Sequence, residues 1–293
     1  MDVWSLDVIP RRGGFEVLLV DENGEVRRRF LKTTFVGYIL PKDVSASKLV
    51  DLILQHPLVS DAYAETWLMP PWYDEKVEVV KFFTERYGSI RLIQRRAAEL
   101  GLGEPVNTYP SPITQVLVRN RLNPCSRTDF SRLVTVEDLE NPFYQPPPYR
   151  VSELVVIKWE GVGSGKRPLK LRIVSTFLRE ELRTDNAEGL REALRNTHIL
   201  LYGGPLKPLI KNFPEILDVP VIINPEAALT GINGLVEWCR LSWIPLRLLS
   251  SASIGKVLTT IEGIEALSRR YLVLERVART EEFRPLKELI NVD

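Results

Sequence analysis

At the end of an apolar run, SELVVIKWEG (152–161), Lys158 and Glu160 stand two residues apart. Side chains at i and i+2 of a strand leave the same face. Two carboxylates in that arrangement share divalent cations in two-metal nucleases. Glu160 has the charge such chemistry needs and Lys158 does not: an ammonium repels magnesium where a carboxylate would ligate it. Taken alone, the pair reads as an exposed Lys–Glu couple at a strand end. The next stretch, GVGSGK (161–166), has the glycine content of a phosphate-binding loop without its plan. Glu160 stands where that loop needs a glycine, and Arg167 where it needs Ser or Thr to hold magnesium. A strand rather than a helix follows, so no helix N-terminus is offered to phosphate. The stretch reads as a hairpin tip.

Basic residues gather at Arg27 to Arg29, along Arg91 to Arg96, at Arg119 with Arg121, and at Arg269-Arg270. Each group is ordinary as a solvated face. Interleaved with exposed aromatics (Trp72, Tyr73, Tyr109, Tyr149), they would form a track for single-stranded nucleic acid. The formal net charge of +1 excludes a strongly basic protein, so such contacts must come from local patches. With His56 and His198 the only histidines, neither near a cysteine or paired acids, a histidine zinc site or a Ser-His-Asp triad is excluded. Cys125 and Cys239 are far apart in sequence and read as reduced and buried, as in a cytoplasmic protein.

These residues need a scaffold, and 293 residues suffice for one large core or two ordinary ones. The start lacks the pattern of a signal peptide, and no window approaches a membrane span. Charge-rich helices with few Met, Cys and His point toward a thermophile. FEVLLVDENGEVRRRFL predicts a hairpin turning at Asn23-Gly24, a pair suited to positive φ. SASKLVDLILQHP predicts a serine-capped helix with Leu49, Leu52 and Ile53 on one face, ending at Pro57. Strands follow near Asp61 to Leu68 and in WYDEKVEVVKFF. SIRLIQRRAAELGLG predicts a helix closed by glycine, and SPITQVLVRNRLN a short helix with Ser111 as cap and Pro112 in its first turn.

The proline run Pro146 to Pro148 reads as a linker. Residues 1–145 are expected to form a small mixed α/β domain with βαβ-type units. Beyond the linker, ELVVIKW and LKLRIVSTF predict strands, DNAEGLREALRN a capped helix, HILLYGG and VPVIINP buried strands, and GINGLVEWCRL and IGKVLTTIEGIEALSRRYL helices. Antiparallel strands followed by alternating strands and helices predict a mixed sheet with helices packed on it, an α/β (α+β) chain overall.

The segment Trp238 to Leu272, WCRLSWIPLRLLSSASIGKVLTTIEGIEALSRRYL, resembles the stretch that leaves the exonuclease domain of archaeal family B DNA polymerases toward the palm. It carries an Arg-Leu-Ser core, a Pro-Leu pair and a Ser-Ile-Gly step before a long helix. NTYPSPITQVLVRNRLNP (107–124) is similar to the passage from the N-terminal domain toward the exonuclease strand, so the resemblance covers nearly the whole chain in order. It implies a family-type N-terminal domain over 1–145 and a ribonuclease H-like exonuclease domain with a mixed five- or six-stranded sheet over 149–250. A C-terminal helical segment over 251–293 would lead toward a palm the chain lacks. Lys158 and Glu160 then fall on the first exonuclease motif, Asp-x-Glu. The second motif falls on LLYGGPLKPL, with no acid between Leu200 and Leu209. The third falls on Ile222 to Glu226, its tyrosine gone and its acid now Glu226. The family's uracil-reading pattern is not kept in TTFVGYILP (33–41), where Tyr38 reads as core.

The resemblance thus implies a dismantled metal site, no divalent cation held by this chain, and an exonuclease fold that does not hydrolyse. Magnesium would belong only to a completed nuclease or polymerase site. The palm motifs are absent, and the Tyr-Pro-Ser at Tyr109 to Ser111 lacks the preceding aspartate and leucine. The expected partners are single-stranded or primer–template DNA, through Arg91, Arg95, Arg96, Arg119 and Lys158, and a palm–thumb half in another chain or in the rest of the same one. The expected role lies in replication or repair, with no membrane. Two rivals stay open: a live 3′–5′ nuclease using Glu160 and Glu226 with Asp218 or Asp185 as a relocated ligand, and a scaffold that binds replication proteins but no DNA.

Overall fold

Strands of two to ten residues and short helices follow one another along the chain, and the computed structural model assembles the strands into three sheets. It describes residues 2–68, 75–108, 111–137, 147–161, 166–177, 182–223, 236–237, 239–240 and 243–249. Contacts divide the described residues into two compact units, 2–8, 17–29 and those within 123–249 in one, and 9–16 and those within 30–122 in the other.

The second of these holds a four-stranded sheet, β5-β6-β4-β7, built from β4 (Phe35–Pro41), β5 (Val59–Leu68), β6 (Lys76–Thr84) and β7 (Gly103–Val106). All its pairings are antiparallel, so the βαβ expectation for this region is corrected. Of the paired strands only β5 and β6 are neighbours in sequence; β4 pairs with β6 and with β7 across intervening helices, and both of those pairings also run antiparallel. Helices α1 (Ala46–Leu54), α2 (Tyr87–Glu99) and α3 (Pro112–Arg119) pack beside it. Ser45 and Ser111 cap α1 and α3 by accepting from Lys48 N–H and Thr114 N–H, which satisfies amides that a helix start leaves without partners. Gly101, at φ +68°, follows α2 as the sequence predicts. Leu49 and Ile53 are buried, but Leu52 faces outward, because one residue before Ile53 lies about 100° round the helix. Tyr38 is core.

In the other unit, β10 (Val151–Glu160), β11 (Arg167–Ser175), β12 (Leu182–Thr184), β13 (Ile199–Leu201) and β14 (Val221–Ile223) form a five-stranded mixed sheet in the order β12-β11-β10-β13-β14. The first three strands run antiparallel; β13 and β14 run parallel to β10. The expected mixed sheet is therefore present, with five strands. Its core joins Leu154, Leu171 and Ile173 to Leu190 and Leu194 of α4 (Ala187–Leu194), Leu209 of α5 (Leu206–Asn212), Phe213, and Ile216 of the 3₁₀ turn Pro214–Asp218. Asn186 caps α4, accepting from Gly189 N–H.

A further sheet, β3-β2-β1-β8-β9, contains β1 (Asp2–Arg11), β2 (Gly14–Asp21), β3 (Val26–Lys32), β8 (Arg127–Asp129) and β9 (Val134–Thr135). The β2–β3 hairpin forms where the sequence places it, but of Asn23-Gly24 only Gly24 takes positive φ, at +78°. The Asp21 carboxylate instead gathers the turn by accepting from the Asn23 and Glu25 amides. Both cysteines are buried and free. Much of the C-terminal resemblance segment and the helix read at IGKVLTTIEGIEALSRRYL lie outside the described residues.

Candidate functional site

The apolar run of β10 ends in two exposed side chains, Lys158 and Glu160, with Trp159 half-buried between them. Through Val156↔Leu171 the strand pairs regularly with β11; then the register breaks. Lys158 lies opposite Lys170, Trp159 opposite Pro168, and Glu160 opposite Arg167, leaving Ile157 and Leu169 outside the pairing. This irregularity interrupts the two-residue alternation on which the sequence reading of Lys158 and Glu160 relied. The residues of β11 that face Lys158 and Glu160 are basic: Lys170 and Arg167 are exposed, as is Lys166 just before β11. Among the described residues, none of Lys158, Lys166, Arg167 and Lys170 has an ion-pair partner, and no three His, Cys, Asp or Glu side chains converge where a cation would sit.

The position of the second motif follows β13. Tyr202 is buried, its N–H bonded to Ile223 O at 2.9 Å, and burial pushes its phenol up to about 12. A Cβ on Gly204 would stand 2.4 Å from the Tyr202 hydroxyl, so the second glycine makes room for the inward-turned tyrosine. This segment packs rather than ligates. Of the third motif, Ile222 and Ile223 lie in β14, and Glu226 lies outside the described residues. Asp185 and Asp218 are both exposed; Asp185 accepts from the Asn186 side chain at 3.3 Å.

The predicted arginines sit in the other unit. Arg95 and Arg96 on α2 both turn to Glu99, at 2.7 and 3.8 Å, as helical neighbours do at i,i+4 and i,i+3. Arg91 is exposed one turn before Arg95, and Arg119 is exposed at the last position of α3. Of the predicted aromatic track, only Tyr149 is among the described residues. Tyr149, read as exposed, donates its hydroxyl to Ser5 O at 2.8 Å and meets the His198 ring edge-on. Trp72, Tyr73 and Tyr109 lie outside the described residues.

His198 clasps three segments of its unit. Its Nδ1 accepts the Arg150 N–H and its Nε2 donates to Gly24 O, both at 2.9 Å, which requires the neutral ring. Burial lowers its pKa from 6.5; the Arg150 charge pushes the same way and the bond to Gly24 opposes. A depressed histidine pKa means that the unfolded chain takes up the proton first. Its stabilising contribution is complete above pH 6.5 and is lost as pH falls through the folded value. The urea midpoint is expected to drop between pH 7 and pH 5, and His198→Phe to flatten that drop. A parent midpoint constant over this range would remove His198 from the role.

In fold, the chain is similar to part of a family B DNA polymerase. No protein-family model matches the chain. Over 297 aligned residues, covering 100% of the chain, it is 25% identical to DNA polymerase 2 of Saccharolobus solfataricus, of which it spans 40%. In structure it is similar to the family B DNA polymerase of the hyperthermophilic archaeon Pyrobaculum calidifontis, with a TM-score of 0.63 and 12% identity over 92% of this chain and 50% of that one. The resemblance to archaeal family B DNA polymerases is thereby borne out. Among the described residues no helix is long and apolar enough to cross a membrane.

Proposed function

We propose that the chain is the non-catalytic N-terminal and exonuclease-like part of an archaeal family B-type DNA polymerase, acting in the cytoplasm. It binds template single-stranded DNA and braces a palm–thumb half carried by another chain or by the rest of the same one. One observation carries the reading: where the resemblance implies the first metal-binding acid stands Lys158, opposite a second lysine, Lys170. Two ammonium groups raise the local potential against any divalent cation, and Glu160 alone cannot replace the hydration shell of two metals. The same charge favours phosphate. This chain holds no magnesium of its own in that reading; the metal belongs to a completed polymerase site.

The test is anisotropy of a labelled 30-nucleotide strand between 50 and 200 mM salt. Four phosphate contacts give a log–log slope of about −2.8, hence a loss of about 50-fold in affinity over that range. A 3′-labelled strand incubated with magnesium or manganese is expected to keep its label. Metal-dependent degradation abolished by Glu160→Ala would replace this reading with that of a live nuclease. No binding even at the lowest salt would remove the DNA-binding role.

A further inference from the structure

At the outer end of the β10–β11 ribbon, exposed basic residues gather with few acids beside them. Several exposed arginines elsewhere have acids at hand: Arg11 with Glu16 at 2.6 Å, Arg12 with Glu85 at 2.7 Å, Arg132 with Asp129 at 3.1 Å, Arg191 with Glu215 at 3.0 Å. On the ribbon, Lys158, Lys166, Arg167 and Lys170 are exposed around one carboxylate, Glu160, and none is ion-paired among the described residues. Asp185, which follows the β12 residue paired with Leu171, is engaged with Asn186.

The pairing itself is unfavourable. Like charges directly opposite in a sheet are destabilising. The chain also has a neutral alternative: Val156↔Leu171 and Trp159↔Pro168 enclose two residues on each strand. A regular ladder there would set Ile157 against Lys170 and Lys158 against Leu169. The ribbon instead brings the two lysines together and leaves Ile157 half-exposed at 47%. An anion between the two ammonium groups turns this repulsion into attraction, and the spacing of neighbouring strands, about 4.8 Å, suits one phosphate. Arg167 lies about 10 Å further along β11, a reach of three strand residues.

From this we infer that Lys158, Lys166, Arg167 and Lys170 form a site for the phosphodiester backbone of one nucleic-acid strand, taken in single file along the ribbon. The inference rests on the DNA-binding reading above and locates it on this hairpin rather than on α2. A narrow two-stranded ribbon with its bases turned away from it reads no sequence, so recognition is of backbone charge alone.

The experiment compares the parent, a hairpin variant (Lys158→Gln, Arg167→Gln, Lys170→Gln) and a helix variant (Arg91→Gln, Arg95→Gln) on single-stranded and blunt duplex DNA of equal length. The hairpin variant is expected to lose about two units of salt slope on the single strand, three contacts at about 0.7 each. Its thermal midpoint should be unchanged or higher, since a like-charge pair has been removed; this separates lost binding from lost fold. The helix variant should keep the parent's slope. If parent and hairpin variant bind the strand alike, the location is wrong while the DNA-binding reading stands. If the parent itself binds no strand, that reading falls, and this inference with it. A hairpin variant that loses duplex affinity while keeping single-strand affinity overturns the single-file arrangement.

Discussion

An Arg247→Met variant is expected to be less stable than the parent by about 3–5 kcal/mol, the cost of leaving one member of a buried ion pair alone. Asp7, in β1, is wholly inaccessible, and Arg247, in the short helical turn Leu246–Leu249, donates its Nε to the Asp7 Oδ2. The guanidinium also donates to Pro220 O at 3.1 Å, so one side chain joins β1, the turn and the segment before β14. Among the described residues Asp7 Oδ1 has no hydrogen-bond partner, and Arg247 is the cation that neutralises the carboxylate. Burial raises the Asp7 pKa above 3.8 against the lowering effect of the arginine. A raised carboxyl pKa means the folded chain binds the proton more readily, a contribution complete below 3.8 and lost as pH rises through the folded value. The deficit of Arg247→Met should therefore shrink in acid, where Asp7 is neutral. Asp7→Leu combined with Arg247→Met should cost less than Arg247→Met alone. Urea unfolding at pH 7 and pH 4 measures both. A variant within about 1 kcal/mol of the parent at pH 7 would show that the pair contributes as little as an exposed one.

Arg240→Met is the second large loss, expected at about 3 kcal/mol by the same mechanism, toward the lower end because its acids reach solvent in part. Arg240 is 1% exposed, the largest fully buried side chain among the described residues, and donates to Glu137 at 2.7 Å and Glu237 at 3.3 Å. Its carbonyl accepts from Asn123 Nδ2 at 2.5 Å, a bond that survives the substitution. Two carboxylates would then face each other without a cation. Adding Glu137→Gln to Arg240→Met should recover part of the loss. Arg240→Lys should not rescue fully, because a single ammonium cannot replace two directed guanidinium bonds. Equal unfolding midpoints for Arg240→Met with and without Glu137→Gln would sink the electrostatic account.

What the sequence made legible was local. Ser45, Ser111 and Asn186 were readable as caps because a cap is a contact between residues two or three apart. The strand ending in Lys158 and Glu160, and the helices α1 to α4, followed from periodicity. Strand direction in the first sheet did not, since periodicity says nothing of which strands pair. Leu52 shows the limit of reading one helical face from apolar content alone. Lys166, Arg167 and Lys170 went unread as partners of Lys158 because their meeting depends on register across a hairpin. Arg240 and Arg247 stood inside the segment that carried the family resemblance, but their acids, Glu137 and Asp7, lie 103 and 240 residues away in sequence. Only a fold can join them.

The slip at Ile157 and Leu169 takes one residue from each strand, so it is length-neutral: the ladder resumes at Trp159↔Pro168 in the same frame it left at Val156↔Leu171. Whatever side chains occupy that window, the sheet on either side is undisturbed. Substitutions confined to that window therefore need no insertion or deletion in either strand.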